Sequence, residues 1–296
     1  MKKSAIRFLS LLIIILISFS FPVNAEKSND DITILFTHDL HSHFLSSVDE
    51  NGASCGGYAR IMTAINEQKA KNPNALLVDG GDFSMGSLFQ TAFSSSALEL
   101  KLMGEMGYDV TTLGNHEFDY LPTGLANMLN VASEFENRPQ IVLSNYTPKE
   151  SEKELIKAFE NYGVEQNYTI IERGGVPFVI FGIFGFNSHE YAPNSGMNHK
   201  DPVKIAEKTV KSATEYCKKN YKTEPVLICL SHSGTEDGKG EDYDLAKQVD
   251  GIDVIVSGHS HSKLEEPIVV NDTIIVSANE YGKNLGVVTL NSDKTL

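Results

Sequence analysis

Histidine placement is the most informative feature of this 296-residue sequence. Seven of the nine histidines lie in four short segments, residues 37–43, 114–119, 231–234 and 258–261. Each segment follows an apolar run that predicts a β-strand. An acidic segment, residues 78–82, stands in the same position after another predicted strand. Since strand ends collect at one edge of an α/β sheet, we expect the polar side chains of all five segments to converge.

The first and last of these segments contain pairs of ligand-type residues with the same spacing. Asp39 and His41 are two residues apart, as are His259 and His261. In an extended chain, side chains at this spacing share a face. Carboxylate oxygens and imidazole nitrogens on one face suit zinc or another divalent transition metal. Taken alone, the first pair also fits an ordinary polar strand end.

The acidic segment places Asp82 after Gly80 and Gly81, which let the backbone turn sharply and approach an ion. A carboxylate has two oxygens and is able to bridge two metals about 3.5–4 Å apart, as two-metal hydrolysis requires. Asp79 has the weaker claim and is expected to support the turn. For the segment by itself, an ordinary turn is the alternative. His232 supplies a further nitrogen ligand after the strand at residues 226–230.

The segment at residues 114–119 is the most distinctive, because each polar residue can be given a task. Asn115 offers a neutral carbonyl oxygen to a metal that already has anionic ligands. His116 is placed to act as general acid toward a leaving oxygen, and Asp119 to orient its ring. For Glu117 we expect a structural hydrogen bond.

The rest of the sequence alternates between short β-branched runs and stretches of helical character. This alternation predicts an α/β sheet system. Gly174-Gly175 and Asn271-Asp272 predict two hairpins, so the sheets should be mixed. We therefore expect two layered sheets with helices outside. Predicted strands include residues 32–36, 75–78, 141–143, 226–230, 252–256 and 285–290, and predicted helices include residues 58–71, 97–106 and 202–219.

The amino-terminal residues 1–25 have the layout of a secretory signal. Three basic residues precede an apolar run at residues 8–21, and small residues precede a predicted cleavage site after Ala25. An uncleaved anchor is the alternative, but the run is shorter than the roughly 20 residues of a spanning helix. We therefore expect a secreted, periplasmic or cell-surface protein without stable membrane insertion, with residues 26–296 as one catalytic domain.

Composition limits the partners. The formal charge of −14 at pH 7 disfavours nucleic-acid polymers and anionic membranes. A phosphate-bearing substrate would also be repelled at long range, so phosphate chemistry would need local cations. Three scattered cysteines are too few for a disulfide framework or a cysteine-rich zinc site.

Together these segments resemble the calcineurin-like metallophosphoesterases. They are most similar to the amino-terminal catalytic domain of the 5′-nucleotidase and 2′,3′-cyclic-nucleotide phosphodiesterase family. The resemblance covers nearly all of residues 32–290. Besides the ligand segments, it includes Gly56-Gly57-Tyr58-Ala59-Arg60, Asp201-Pro202-Val203 and Asn284-Leu285-Gly286-Val287.

The resemblance implies a four-layer α/β/β/α sandwich with two mixed sheets. It also implies two divalent metal ions, such as zinc, manganese, iron or cobalt, and assigns His116 and Asp119 as a catalytic dyad. The implied metal ligands all lie in the five segments: Asp39, His41, Asp82 and His261 for one ion, and Asp82, Asn115, His232 and His259 for the other.

The implied activity is metal-dependent hydrolysis of a small phosphate ester, with a nucleotide as the expected substrate, in nucleotide and phosphate salvage. One alternative is a 2′,3′-cyclic-nucleotide phosphodiesterase/3′-nucleotidase, and another is a secreted metal-binding module without catalysis. The presence of His116 and Asp119 argues against the module, because a pure binder needs neither an acid nor its orienter. The pattern favours no particular oligomeric state.

Two departures from the family pattern bear on substrate contacts. His38 stands where the family commonly has Asn, beside the expected ligands. Relatives usually continue into a carboxy-terminal domain that stacks the nucleobase, and we expect this domain to be absent here. Selectivity among bases should then be weak. The segment at residues 186–202, with His189, Tyr191 and His199, is the one local substitute, although a solvated connector is the simpler interpretation.

Overall fold

The structure is a computed structural model that describes residues 32–49, 51–291 and 293–296. The predicted signal segment, residues 1–25, lies outside these residues. Within the described part of the chain, none of the helices is both long and apolar enough to span a bilayer.

Fifteen strands are found in the described residues. In chain order they are β1 (Ile32–Thr37), β2 (Ser47–Val48), β3 (Ser54–Cys55), β4 (Leu76–Asp79), β5 (Val110–Thr111), β6 (Gln140–Ile141), β7 (Tyr146–Pro148), β8 (Thr169–Arg173), β9 (Val176–Phe184), β10 (Met197–His199), β11 (Val226–His232), β12 (Val254–Ser257), β13 (Ile268–Val270), β14 (Thr273–Val276) and β15 (Gly286–Leu290).

Eight α-helices and two short 3₁₀ helices connect these strands in the described residues. The α-helices are α1 (Tyr58–Lys71), α2 (Phe93–Ser96), α3 (Leu98–Glu105), α4 (Leu121–Ala132), α5 (Lys153–Tyr162), α6 (Phe186–Tyr191), α7 (Pro202–Asn220) and α8 (Glu241–Gln248). The 3₁₀ helices are Leu88–Ala92 and His116–Phe118.

Two large mixed sheets form the centre of the fold. The first has the order β15-β1-β4-β5-β6, and the second has the order β13-β14-β12-β11-β9-β8. In the first sheet β1, β4, β5 and β6 are parallel, and β15 pairs antiparallel with β1. In the second sheet the two predicted hairpins supply the antiparallel pairs β8–β9 and β13–β14.

Alternation along the strands shows how the layers stack. In β1, Ile34 and Phe36 lie in a core made by residues of both sheets, whereas Leu35 lies in a core that includes residues of α1 and α4. In β11, Ile228 faces the core between the sheets, and Cys229 faces a core that contains residues of α8. Successive side chains of a strand point to opposite faces. The four-layer α/β/β/α sandwich follows, as predicted.

The sheet order also positions the polar segments. β1, β4 and β5 are parallel neighbours in the first sheet, and β11 and β12 are parallel neighbours in the second. Their carboxyl ends carry the five segments, which therefore meet where the two sheets adjoin. The segment at residues 186–202 contains α6 and β10, and nine of its seventeen residues are exposed.

Candidate metal centre

The loops that carry the expected ligands run beside one another at the strand ends. The backbone N–H of Asp39 donates to the carbonyl of Gly81 at 2.9 Å, and that of His41 donates to the carbonyl of Asp82 at 3.0 Å. These bonds join the loop after β1 to the loop after β4. Inserting or deleting one residue in either loop would therefore displace the polar side chains of both loops.

Five of the expected ligands have a left-handed backbone, which is uncommon for residues other than glycine. Their φ angles are 51° for Asp39, 48° for His41, 52° for Asp82, 74° for His259 and 53° for His261. Such conformations cost free energy and persist where surrounding structure fixes them, often at functional sites. Here the left-handed conformations turn the side chains of these five residues toward one another at the strand ends.

The first cluster brings together Asp39, His41 and His261. The two Nε2 atoms of the histidines are 3.0 Å apart, and they lie 3.6 and 3.3 Å from Oδ1 of Asp39. Within the described part of the chain, this buried Oδ1 accepts no hydrogen bond. A buried carboxylate oxygen without a donor, facing two imidazole nitrogens, fits a divalent cation held by all three groups.

The second cluster brings together Asp82, His232 and His259, whose ligand atoms lie within 4.8 Å of one another. Nε2 of His232 is 3.0 Å from Oδ2 of Asp82 and 3.2 Å from Oδ1 of Asn115. Nδ1 of His232 is 2.9 Å from the carbonyl of Gly80. Donation to this carbonyl fixes the tautomer and leaves Nε2 as the nitrogen available to a metal.

Asp82 lies between the two clusters. Its Oδ2 is 3.9 Å from Nε2 of His41, and its Oδ1 accepts a hydrogen bond from the backbone N–H of His116 at 2.8 Å. Gly114 leaves the space that this carboxylate occupies, since a Cβ there would lie 2.1 Å from Oδ1. The arrangement suits a carboxylate shared by two ions.

The charges at the centre are strongly coupled. Burial by itself would raise the pKa of Asp39, but the imidazoles of His261 and His38 hold it well below its usual range. Burial opposes protonation of His232, yet the carboxylate of Asp82 raises the pKa of its ring to about 10. This negative field attracts either protons or metal ions. Metal binding would therefore displace the imidazole proton, as ligation requires.

His116 and Asp119 form a hydrogen-bonded pair beside the two clusters. Nδ1 of His116 is 2.7 Å from Oδ2 of Asp119, and the two side chains are 40% and 38% exposed. The hydrogen bond with Asp119 is the main reason that the pKa of His116 is raised to about 9. The ring is thus oriented and protonated at neutral pH, beside Asp82 and His41.

Comparison with known proteins agrees with this geometry. The family model of the calcineurin-like phosphoesterases matches residues 32–263. The chain belongs to this family. The predicted family and fold are thereby confirmed, and the His/Asp clusters agree with the expected metal binding.

The relatives of this chain include proteins named as nucleotide phosphoesterases or 5′-nucleotidases. The trifunctional nucleotide phosphoesterase protein YfkN of Bacillus subtilis (strain 168) is 32% identical over 89% of this chain and 18% of its own length. The probable 5′-nucleotidase of Treponema pallidum (strain Nichols) is 30% identical over 92% of this chain and 47% of its own.

Among solved structures, the 5′-nucleotidase precursor from Thermus thermophilus superposes with a TM-score of 0.72 at 27% identity. The match covers 90% of this chain and 52% of that one. The chain therefore spans about half or less of the length of these relatives.

Glu117 connects two of the loops that carry the expected ligands. Its carboxylate accepts hydrogen bonds from the backbone N–H groups of Asp82, Ser84 and Gly114 and from Oγ of Ser84, at 2.6 to 3.0 Å. Burial and the nearby charge of Asp82 raise the pKa of Glu117 to about 7. The expected structural hydrogen bond is thus a four-donor site that joins the segments at residues 78–82 and 114–119.

Two other residues near the ligands have supporting positions. Asp79 accepts hydrogen bonds from the backbone of Gly81 and from Thr37 and Thr111, so it supports the turn as expected. His38 is buried, with Nε2 accepting from the N–H of Ala278 at 2.6 Å. Its Nδ1 is therefore the protonated nitrogen and donates to Oδ2 of Asp39 at 2.6 Å. His38 therefore supports Asp39, one of the expected ligands.

The cavity above the phosphoesterase centre has a volume of about 700 Å³. Asp82, Asn115, His116, His259 and His261 line it. Its outer wall includes two further residues, Asn187 and Tyr191. Tyr191 belongs to the segment at residues 186–202 singled out above, whereas Asn187 carries no signal in the sequence. Its Oδ1 is 2.7 Å from Nε2 of His259. No motif signals this contact, because it joins residues 72 positions apart.

Proposed function

We propose that this chain is a metal-dependent phosphohydrolase of nucleotides, of the 5′-nucleotidase type. The observation that carries the proposal is a single cavity lined by members of both histidine–carboxylate clusters, namely Asp82, His259 and His261, and by His116, which is paired with Asp119. The names of the relatives from Bacillus and Treponema support a nucleotide as the substrate.

The proposed ligands are those expected from the sequence. Asp39, His41, Asp82 and His261 would hold one ion, and Asp82, Asn115, His232 and His259 would hold the other. Two bound ions would supply positive charge that activates water and neutralises the phosphoryl oxygens.

The chain's own groups complete the reaction. His116, protonated at neutral pH, donates its Nε2 proton to the oxygen that leaves phosphorus, and Asp119 keeps the ring oriented through Nδ1. Buried Glu117 fixes the loop that carries Asn115 and His116. The ester would therefore be held between the bound ions and the proton donor His116 at the edge of the cavity.

The test is hydrolysis by the purified protein after loading with zinc, manganese, iron or cobalt. AMP, 2′,3′-cyclic AMP and phenyl phosphate are offered, and inorganic phosphate and nucleoside are measured. We expect phosphate release from AMP that disappears on chelation and returns with metal. Turnover of the cyclic diester alone would favour the phosphodiesterase, and binding of two ions without turnover of any ester would favour the non-catalytic module.

We also propose that residues 1–25 act as a cleaved export signal and that residues 26–296 form the catalytic domain. The order of basic residues, apolar run and Ala25 supports this. Amino-terminal sequencing of the protein recovered outside the cytoplasm should begin at Glu26. A product that begins at Met1 would contradict the proposed cleavage.

A further inference from the structure

The rim of the metal cavity carries an aromatic ring that the proposed reaction does not use. Tyr191 is 66% exposed and lines the same cavity as His116 and His259. Its ring centroid lies 5.7 Å from that of His259, with the ring planes inclined at 62°. One face of the ring is therefore available beside the place where an ester would bind.

We propose that Tyr191 is a stacking platform for the leaving group of the ester, and that it favours planar groups such as a nucleobase or a phenyl ring. This subsite rests on the proposed phosphohydrolase function, because the metal centre would fix the phosphate end of the substrate. The aromatic face of Tyr191 then contributes binding free energy at the other end of the substrate, through contact with the planar leaving group.

The helix that carries this ring is held in place at its amino-terminal end. Glu241 accepts hydrogen bonds from the backbone N–H groups of Phe186 and Asn187 at 2.7 and 2.8 Å. Oγ of Ser188 donates to the carbonyl of His232 at 2.6 Å. α6 is thus tied both to the start of α8 and to a proposed ligand residue.

A third contact fixes the middle of the helix. Nδ1 of His189 lies 2.9 Å from the hydroxyl of Tyr146, which is fully buried. A platform on a fixed helix loses less conformational entropy when a ligand binds than one on a mobile loop. The position of Tyr191 therefore suits recognition and not merely solvent exposure.

Helix geometry directs Tyr191 toward the metal centre. Asn187 and Tyr191 are four residues apart, so they share a face of α6. Asn187 reaches Nε2 of His259 at 2.7 Å, and Tyr191 contacts the same imidazole with its ring. The platform consequently has a set position relative to the second cluster and to His116 in the same cavity.

A single exposed ring discriminates by shape and not by base identity. Stacking tolerates any base, since each has a π-face, and recognition of a particular base needs additional hydrogen bonds. We therefore expect Tyr191 to separate planar from aliphatic leaving groups. The weak preference among bases expected from the sequence is compatible with this platform.

The experiment compares Tyr191→Ala and Tyr191→Phe in the full chain, with Tyr216→Ala as the matched control. Tyr216 is 48% exposed on α7 and is not part of the cavity lining. The substrates are AMP, phenyl phosphate and glycerol 3-phosphate. Tyr191→Ala should lower kcat/KM for the two planar esters by roughly ten-fold or more, mainly through KM. Glycerol 3-phosphate should be unaffected, and Tyr191→Phe and Tyr216→Ala should behave as wild type.

A binding measurement separates failure of the subsite from failure of the reaction. The Kd for AMP and for glycerol 3-phosphate is measured by calorimetry on the metal-loaded proteins. Suppose that wild type hydrolyses no ester, but that Tyr191→Ala still weakens the binding of AMP and not that of glycerol 3-phosphate. The proposed reaction is then wrong, and the proposed platform is supported. If wild type is active and Tyr191→Ala changes neither ligand, or both equally, the platform is wrong.

Discussion

The floor of the metal cavity and its rim are built differently. The floor comprises Asp82, which lines the cavity, and the neighbouring residues Asp39, His41 and His232, and all four are buried. The rim consists of His116, Asp119, His261 and Tyr191, whose side chains are about one-third to two-thirds exposed. Floor residues are fixed by several protein hydrogen bonds each, whereas rim residues have few. On the proposed function, the buried groups would hold the ions and the exposed groups would meet the substrate.

Burial explains why the floor needs so many partners. A buried carboxylate is costly unless a cation or several donors compensate it. Among the described residues, the ion pairs of Asp39 and Asp82 are all with histidines, and none is with Lys or Arg. Imidazoles can exchange their protons for metals, so the same groups provide compensation before and after metal binding.

The largest effect is expected from removing Asp82, the carboxylate that lies between the two clusters. Asp82→Ala removes oxygens from both, so we expect loss of hydrolysis and of bound metal, measured by turnover and elemental analysis. Asp237→Ala, which alters another acidic residue of the cavity lining, is the control and should keep both. Two tightly bound ions in active Asp82→Ala protein would show that the floor does not depend on this residue.

His116→Ala tests the rim without disturbing the floor. Turnover should fall by roughly 10²–10⁴, the usual range for loss of a positioned acid or base. Metal content should remain that of wild type, because the exposed ring contributes through its proton. Wild-type activity in this variant would mean that His116 is not the acid. Loss of metal would mean that His116 helps to hold an ion.

Glu117→Gln should affect folding more than any rim substitution. The variant places an amide group against four donors that now meet a carboxylate. Since a buried donor left without an acceptor costs about 1–3 kcal/mol, we expect the free energy of unfolding to fall by about 1–3 kcal/mol. Urea denaturation measures this, with exposed Glu136→Gln as the control. An unchanged midpoint would contradict the bracing role.

The smallest effect concerns the pH profile. An acid works only while protonated, so wild-type kcat should fall as pH rises through about 9, the pKa to which Asp119 chiefly raises His116. Asp119→Asn removes that hydrogen-bonded charge and lowers the pKa of His116. The alkaline limb should therefore move to lower pH. If the alkaline limb stays in place, the loss of activity at high pH reflects a group other than His116.

Much of the fold was readable from local patterns. α1 was predicted at residues 58–71 and is observed at Tyr58–Lys71, because an amphipathic 14-residue run follows a glycine pair. Both hairpins form at the predicted turns. Strands β5 and β6 are only two residues long, and the run predicted at residues 141–143 extends beyond the paired residues of β6. Apolar character extended beyond the paired residues because the flanking positions are also buried.

The site shows the same division between local and distant information. Local spacing was enough to identify the residue types at the strand ends, since Asp39-Leu40-His41 and His259-Ser260-His261 are short patterns. Which atoms meet depended on the folded chain: Nε2 of His41 and His261 approach to 3.0 Å across 220 positions. The bracing of two loops by Glu117 and the position of Tyr191 at the cavity are likewise tertiary features. Such contacts depend on strand order and left-handed loop backbones, which no short sequence pattern specifies.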